Sequence, residues 1–333
     1  MEHDRHNGII ISIQDDYTTA FKGGNRVNTN GRRKQRAPLA GSIRQAARDH
    51  LHGPGFTPRD EAVLETLLGV GLLSRDQIQR LFFWSSNYPD TAAGRLKKLY
   101  ERHLLNYTPD LIPRMRAADL EPCHVYSLGP VGEEVLAIRR GMTRSGLGFS
   151  DRYDLQRGNP LLMHDLQVSE VYVRAKLATR CYSGEMTWHN EQAAALRHPA
   201  GQEIVRPDGA IRIVINGTYH TFFVEMDRGS TRWPDKVGFY EEAHRRCEWS
   251  AQFRTHTFPQ VLCIIPPGIV GKASDAIQHE AEHVRFLVKT WPAFLRTDFF
   301  QEWQDTLDGR EVSLAPIVPF SPGTQATVGT QGR

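Results

Sequence analysis

Three acidic residues mark the two ends of one stretch, VRPDGAIRIVINGTYHTFFVEMD (205–227): Asp208 near its start, Glu225 and Asp227 at its close. Carboxylates gathered in one place can hold a hard divalent cation, share a proton or pair with arginine. Between them, Asn216-Gly217 separates two strand-like runs, and Asn-Gly is the strongest short signal for a two-residue hairpin turn. Such a turn pairs Ile215 with Thr218. Stepping outward along both strands brings Asp208 opposite Glu225 and Arg206 opposite Asp227, and the period of two puts all four on one face. Directly opposed residues have Cβ atoms about 4.5–5.5 Å apart, where like charges repel. One resolution is Mg2+ held by the carboxylates, which would create a catalytic centre. The other is a wet sheet face on which Arg206 and a neighbour neutralise the acids. A bulge near Pro207 would shift the pairing by one residue.

The elements that must position this hairpin follow a helix, strand and helix order. His164 to Ala178 reads as a helix and Glu185 to Gln192 as a strand, followed by the two hairpin strands. Pro234 to about Phe253 reads as helical, Pro259 to Ile265 as a short buried strand, and Lys272 to Trp291 as a closing helix. Upstream the pattern differs. Thr57-Pro58 starts a helix that ends near Gly69 to Gly71, Ser74 caps a second, and Thr91 to His103 forms a third. That third helix turns Leu96, Leu99 and Tyr100 inward and Arg95, Lys97, Lys98 and Arg102 outward. Strands at Leu104–Tyr107 and His124–Leu128 follow, joined by a loop carrying Arg114 and Arg116.

Helix, helix, basic helix, strand, loop, strand is the order of a winged helix-turn-helix, whose third helix enters the DNA major groove while the wing touches backbone. On that reading Arg95, Lys97, Lys98, Arg102, Arg114 and Arg116 contact double-stranded DNA. A small helical packing domain with a solvated basic face is the competing reading. Residues 22–36 carry six Lys or Arg and no acid, and the whole of 1–55 reads as a disordered basic arm suited to phosphate contacts. The chain then divides into 56–145, the winged helix; 146–310, the α/β domain; and 311–333, a loose tail rich in Ser, Pro, Gly, Thr and Gln.

Pro207-Asp208 followed by Glu225-Met226-Asp227, inside that order of elements, resembles the PD-(D/E)xK nuclease core. The resemblance implies a restriction-endonuclease-like mixed sheet flanked by helices. It also implies Asp208 and Glu225 as ligands of Mg2+ or Mn2+, and Glu170 as the acid many members carry on the preceding helix. Asp227 stands where the motif has lysine. Lys236 in the following helix would then return an ammonium to the site, unless it is a plain surface residue, and Asp227 would serve as a further ligand or position a water-activating group. More narrowly, His164-Asp165, Glu170, Arg206-Pro207-Asp208, the string FVEMDRGS, Lys236 and Tyr240 make residues 57–290 resemble the replication-relaxation family of plasmids and integrative elements. That implies replication or mobilisation of the element's DNA, by Mg2+-dependent cleavage or nicking. The alternative is a non-catalytic accessory factor that binds a DNA site and recruits a replication or relaxase protein.

Other signals carry less. His279-Glu280-Ala281-Glu282-His283 fits the zinc pattern H-E-x-x-H, but helical spacing puts both His on the polar side of the helix, so it reads as a solvated face. His164 reads as a cap or a hydrogen-bond partner, or else as a neighbour of the carboxylates. Arg228 and Arg232 read as a phosphate clamp or as surface residues. Cys123, Cys181, Cys247 and Cys263 lie far apart with no CxxC pair, and read as reduced and mostly buried. No Gly-rich phosphate loop of P-loop or Rossmann type is present, which leaves ATP and NAD use unsupported. No apolar run reaches the roughly 18 residues of a membrane span, so no membrane partner and a cytoplasmic setting are expected. The net charge of +3 decides nothing by its sum, and the sequence leaves the oligomeric state open.

Overall fold

Ser42 caps the first described helix, α1 (Ile43–His52), by accepting from the Gln45 amide at 3.1 Å. The fold is a computed structural model that describes residues 41–84, 90–108, 124–150, 153, 155 and 161–314. The arm before residue 41, the loop with Arg114 and Arg116, and the tail after residue 314 lie outside them. Helix α1 corrects the expectation of disorder through residue 55. Ile43, Ala46, Ala47 and Leu51 recur at helical spacing and pack into the core, with Ala47 fully buried, while Arg44 and Arg48 stay outside.

Helix α2 (Pro58–Val70) opens with a capping box in which Thr57 and Asp60 satisfy each other's amides, and it ends at Gly71 with φ 84°. Strand β1 (Leu73–Ser74) leads into α3 (Arg75–Phe82), started by a second capping box between Ser74 and Gln77. Then come α4 (Asp90–Glu101), β2 (Leu105–Tyr107) and β3 (Val125–Leu128), and the three strands form a sheet in the order β1-β3-β2. The expected elements are therefore present, with β1 added. A helix the sequence reading passed over, α5 (Pro130–Arg140), packs on them so closely that a Cβ at Gly132 would sit 2.2 Å from the Leu104 carbonyl oxygen.

Helix α6 (Leu162–Cys181) is apolar on most sides because two cores share it. Tyr172 and Val173 belong to the core of the N-terminal helices, with Leu64, Ile78, Leu96 and Val135. Val171, Ala175 and Ala178 pack on the large sheet instead. Glu170, 1% exposed, ties the two cores together: Arg80 pairs with it, Gln77 Nε2 donates to it at 3.1 Å, and Arg174 Nε lies 3.3 Å away.

After α6 come β4 (Glu185–Asn190), α7 (Glu191–Ala194) and the small pair β5 (Leu196–Arg197) and β6 (Glu203–Val205). The hairpin β7 (Gly209–Ile215) and β8 (Thr218–Met226) follows, then α8 (Trp233–Arg246), α9 (Trp249–Phe253) and β9 (Gln260–Ile265). The helix expected over 234–253 is thus broken at Cys247 and Glu248. The chain closes with α10 (Val270–Glu280), β10 (Phe286–Thr290), α11 (Trp291–Arg296), β11 (Trp303–Asp305) and β12 (Glu311–Val312). The expected closing helix over 272–291 is therefore wrong in its second half. FLVKT is an apolar run that pairs in parallel with β9, and its Phe286, Leu287 and Val288 are all buried.

Among the described residues the large sheet has seven strands, ordered β12-β11-β10-β9-β8-β7-β4, with β8, β9 and β10 parallel and the rest antiparallel. It is a mixed sheet with helices on both faces, as expected. Ile211, Ile213, Phe222 and Val224 face α6 and α11, whereas Ala210, Phe223, Val261 and Cys263 face α8 and α10. No described helix is long and apolar enough to cross a membrane.

The Arg80 and Glu170 pair is buried, so removing one partner strands a charge. Glu170→Ala is expected to lower unfolding free energy by about 3–5 kcal/mol, measured by urea denaturation. A loss below about 1 kcal/mol would mean that the pair is no more than a surface contact.

Candidate functional site

The hairpin turn is the one the sequence specifies. Asn216 and Gly217 have φ 51° and 75°, the two positive values a type I′ turn needs, and the ladder runs from Ile215↔Thr218 to Gly209↔Val224 in the expected register. Beyond Gly209 the ladder stops. The Asp208 amide donates to the Val224 carbonyl at 3.0 Å, and Asp208 Oδ2 accepts from the Met226 amide at 2.7 Å. Both bonds replace the regular rung to Glu225, so Asp208 caps the outgoing end of β8 through its side chain. Gly209 is required there, because a Cβ would meet the Trp188 ring at 2.5 Å.

Arg206 does not face Asp227. It reaches back to Glu203, with Nε and one terminal nitrogen each 2.9 Å from a carboxylate oxygen, because the chain leaves the ladder at Arg206 and Pro207.

Glu225 lies on the face toward α8 and is 6% exposed. Its Oε1 accepts from Tyr240 Oη at 2.5 Å and from Lys236 Nζ at 2.8 Å. Lys236 and Tyr240 are four apart on α8, so one helix stripe delivers both. Burial pushes the Glu225 carboxyl up to about 7, the Asp208 charge adds to this, and Lys236 and Tyr240 pull it back. Burial acts to lower Lys236, but the Glu225 carboxylate outweighs it and holds the ammonium above its usual range. Burial and the same carboxylate raise the Tyr240 phenol well above its ordinary value.

His164, at the start of α6, meets Asp208 from the other side. Its Nε2 is 3.3 Å from Asp208 Oδ1 and its Nδ1 is 3.6 Å from Asp165 Oδ1. Burial lowers its pKa, but Asp165 and Asp208 together raise it to about 10, so the ring is an imidazolium at neutral pH. His164, Asp165 and Asp208 line a small recess with Asn190, Glu191 and Trp188, whereas Glu225 and Lys236 do not line it.

The other expected site residues have different neighbours. Asp227, 5% exposed, accepts from the Gly229 amide at 2.7 Å, from Thr231 Oγ1 at 2.8 Å and its amide at 3.3 Å, and from Trp233 Nε1 at 3.0 Å. It organises the loop from β8 into α8. Glu170 is held by Arg80 and Gln77 between the two cores. Arg228 and Arg232 are exposed, and Arg232 pairs with Asp235 at 3.2 Å.

On α4, Arg95 Nε donates to Asp60 Oδ1 at 2.7 Å, so this arginine braces α2. Lys97, Lys98 and Arg102 are exposed, with Lys97 3.9 Å from Glu101. Cys181 is exposed, Cys247 partly buried and Cys263 buried, all with free thiols.

Sequence reasoning named Lys236 and Tyr240 together through the resemblance, but gave Tyr240 no task at the carboxylates; its bond to Glu225 follows from the four-residue spacing on one helix face.

A family model described as replication-relaxation matches residues 64–261, from within α2 to the start of β9, well over half of the chain. No curated protein and no solved structure matches the chain. The matched span holds His164, Asp208, Glu225, Asp227, Lys236 and Tyr240. The chain belongs to the replication-relaxation family, and its role lies in replication or relaxation of plasmid or mobile-element DNA.

Proposed function

We propose that the protein binds double-stranded DNA and hydrolyses a phosphodiester bond in it with the help of Mg2+ or Mn2+, as an endonuclease or nickase. The observation that carries this reading is the reach of Lys236. Its ammonium lies 2.8 Å from Glu225, so the cation missing from the strand position at Asp227 arrives from α8.

The donor set suits a hard divalent ion in part. Asp208 and Glu225 offer carboxylate oxygens, and among the described residues nothing donates to Glu225 Oε2. Asp227 does not fit as a ligand, because its oxygens already accept from four donors. The ligands would therefore be Asp208 and Glu225. A bound Mg2+ would polarise the phosphate and lower the pKa of a coordinated water.

The chain's own groups have separate tasks. Tyr240 fixes the rotamer of Glu225 through Oε1. The His164 imidazolium holds Asp208 Oδ1 and adds positive charge where a phosphate would approach. Lys236 orients the attacking water and balances charge that builds on the phosphate oxygens. Exposed Arg228 and Arg232, at the mouth of the same loop, suit a flanking phosphate through their planar forks. The N-terminal helices, read as a winged helix, dock the duplex through Lys97, Lys98 and Arg102 on α4.

The test is conversion of supercoiled plasmid to the nicked form with Mg2+ or Mn2+. Wild type is expected to nick. Asp208→Ala and Lys236→Met are expected to lose about 100-fold or more in rate, with DNA affinity of Asp208→Ala the same or higher. If wild type binds DNA but never nicks it, the protein is a non-catalytic accessory factor and the hydrolytic reading fails.

Docking is tested separately by salt titration of DNA binding. Lys97→Ala and Lys98→Ala should each weaken binding to unrelated duplexes alike and reduce the slope of log K against log salt by about one. Unchanged slopes would remove α4 from the DNA interface.

A further inference from the structure

We infer that Glu241, His244 and His283 form a binding site for a zinc-type divalent cation, apart from the Asp208 and Glu225 cluster. Glu241 and His244 are three apart on α8, so they project from one face, the spacing by which helices present paired metal ligands. His283 arrives from elsewhere. Helix α10 ends at Glu280 with Ala281 as its C-cap, so His279 and His283 are not a one-turn pair, and the zinc pattern in the sequence fails as a helical motif. The non-helical segment instead carries His283 to α8, where its Nδ1 is 3.2 Å from Glu241 Oε2.

One donor atom from each of the three residues lies within 4.8 Å of the others. Tetrahedral ligands with bonds of about 2.0–2.1 Å stand about 3.3 Å apart, so the Glu241 and His283 atoms already have that separation, with a His244 nitrogen within 4.8 Å of both. Two imidazoles and a carboxylate favour zinc over Mg2+, which prefers oxygen ligands.

Two observations mark the site as built for more than hydrogen bonding. Glu241 Oε1 accepts from the amides of Glu282, His283 and Val284 at 2.9, 2.8 and 2.9 Å, which fixes the carboxylate and turns Oε2 toward His283. Outer bonds of this kind hold metal ligands in place. Second, among the described residues nothing pairs with the buried His244 Nδ1, while its ring is seated among Trp249, Phe258 and His283 with centroids 6.2, 5.3 and 5.4 Å away. A buried ring nitrogen left unpaired is costly, and a cation at this cluster would offer the ring a partner. The two histidines also line a broad open groove with His220, His256 and Arg285. Three protein ligands leave a fourth position there for water or an anionic group.

The experiment is calorimetric titration of chelator-treated full-length protein with ZnCl2 and, separately, MgCl2. Wild type, His244→Ala, His283→Ala, the double variant and Asp208→Ala are compared. The inference expects one Zn2+ per chain, weakened about tenfold or more by either histidine change, unaffected by Asp208→Ala and not displaced by Mg2+. Co2+ should give the visible absorption of a tetrahedral site in wild type and none in His283→Ala. The His283 side chain is 53% exposed, so that variant should keep the wild-type far-ultraviolet circular dichroism and remain interpretable if His244→Ala misfolds. Absence of Zn2+ binding by wild type overturns the inference, as does equal binding by the double variant or loss of binding in Asp208→Ala.

Discussion

Glu225 is a carboxylate at the carboxyl end of a central strand, covered by a helix. Taking such a group out of water costs several kcal/mol unless a counter-charge and hydrogen bonds replace its hydration. Lys236 and Tyr240 supply both through one oxygen. Their arrival depends on where α8 begins, and that is set by Asp227. Its carboxylate gathers Gly229, Thr231 and the Trp233 indole, and so turns the chain out of β8 and straight into the helix. Asp227 is therefore connected to Lys236: it anchors the start of the helix that brings the ammonium to Glu225.

A second constraint couples this centre to the N-terminal helices. Helix α6 serves two cores, and its Glu170 is neutralised by Arg80 from α3. The same helix presents His164 at its start, where the imidazolium meets Asp208. A shift of α3 would pull on α6 through a buried ion pair, and the histidine would move with it.

The hairpin was legible because Asn-Gly admits few alternatives and fixes register by itself. The departure at Asp208 was open only as a bulge near Pro207, without the bonds that make it. It arises from side-chain and backbone bonds at a strand end, where no periodicity applies. Helix starts at Thr57 and Ser74 were readable for a similar reason, since capping boxes are local chemistry. The second half of the closing helix was misread because FLVKT is short and apolar, and such a run fits a helix or a buried strand until its neighbours are known. Glu170 was assigned to function from the resemblance to the nuclease core, and Arg95 from its place on a basic third helix. Their partners, Arg80 and Asp60, lie 90 and 35 residues away in the chain, and spacing patterns hold no record of such pairs.

Helix α8 also explains why two polar clusters can sit close together without merging. At about 1.5 Å of rise per residue, Lys236 and His244 are about 12 Å apart along its axis. Tyr240 stands between them, its phenol turned to Glu225 and its ring packed edge-on against Phe286. The ring separates one cluster from the other, so each keeps its own surroundings. Oxygen donors and an ammonium stand at the strand end, imidazoles and a carboxylate beside the groove. Both are fixed to one helix: Glu241 holds the segment after α10 through the amides of Glu282, His283 and Val284, and Lys236 stands over Glu225 about two turns before His244.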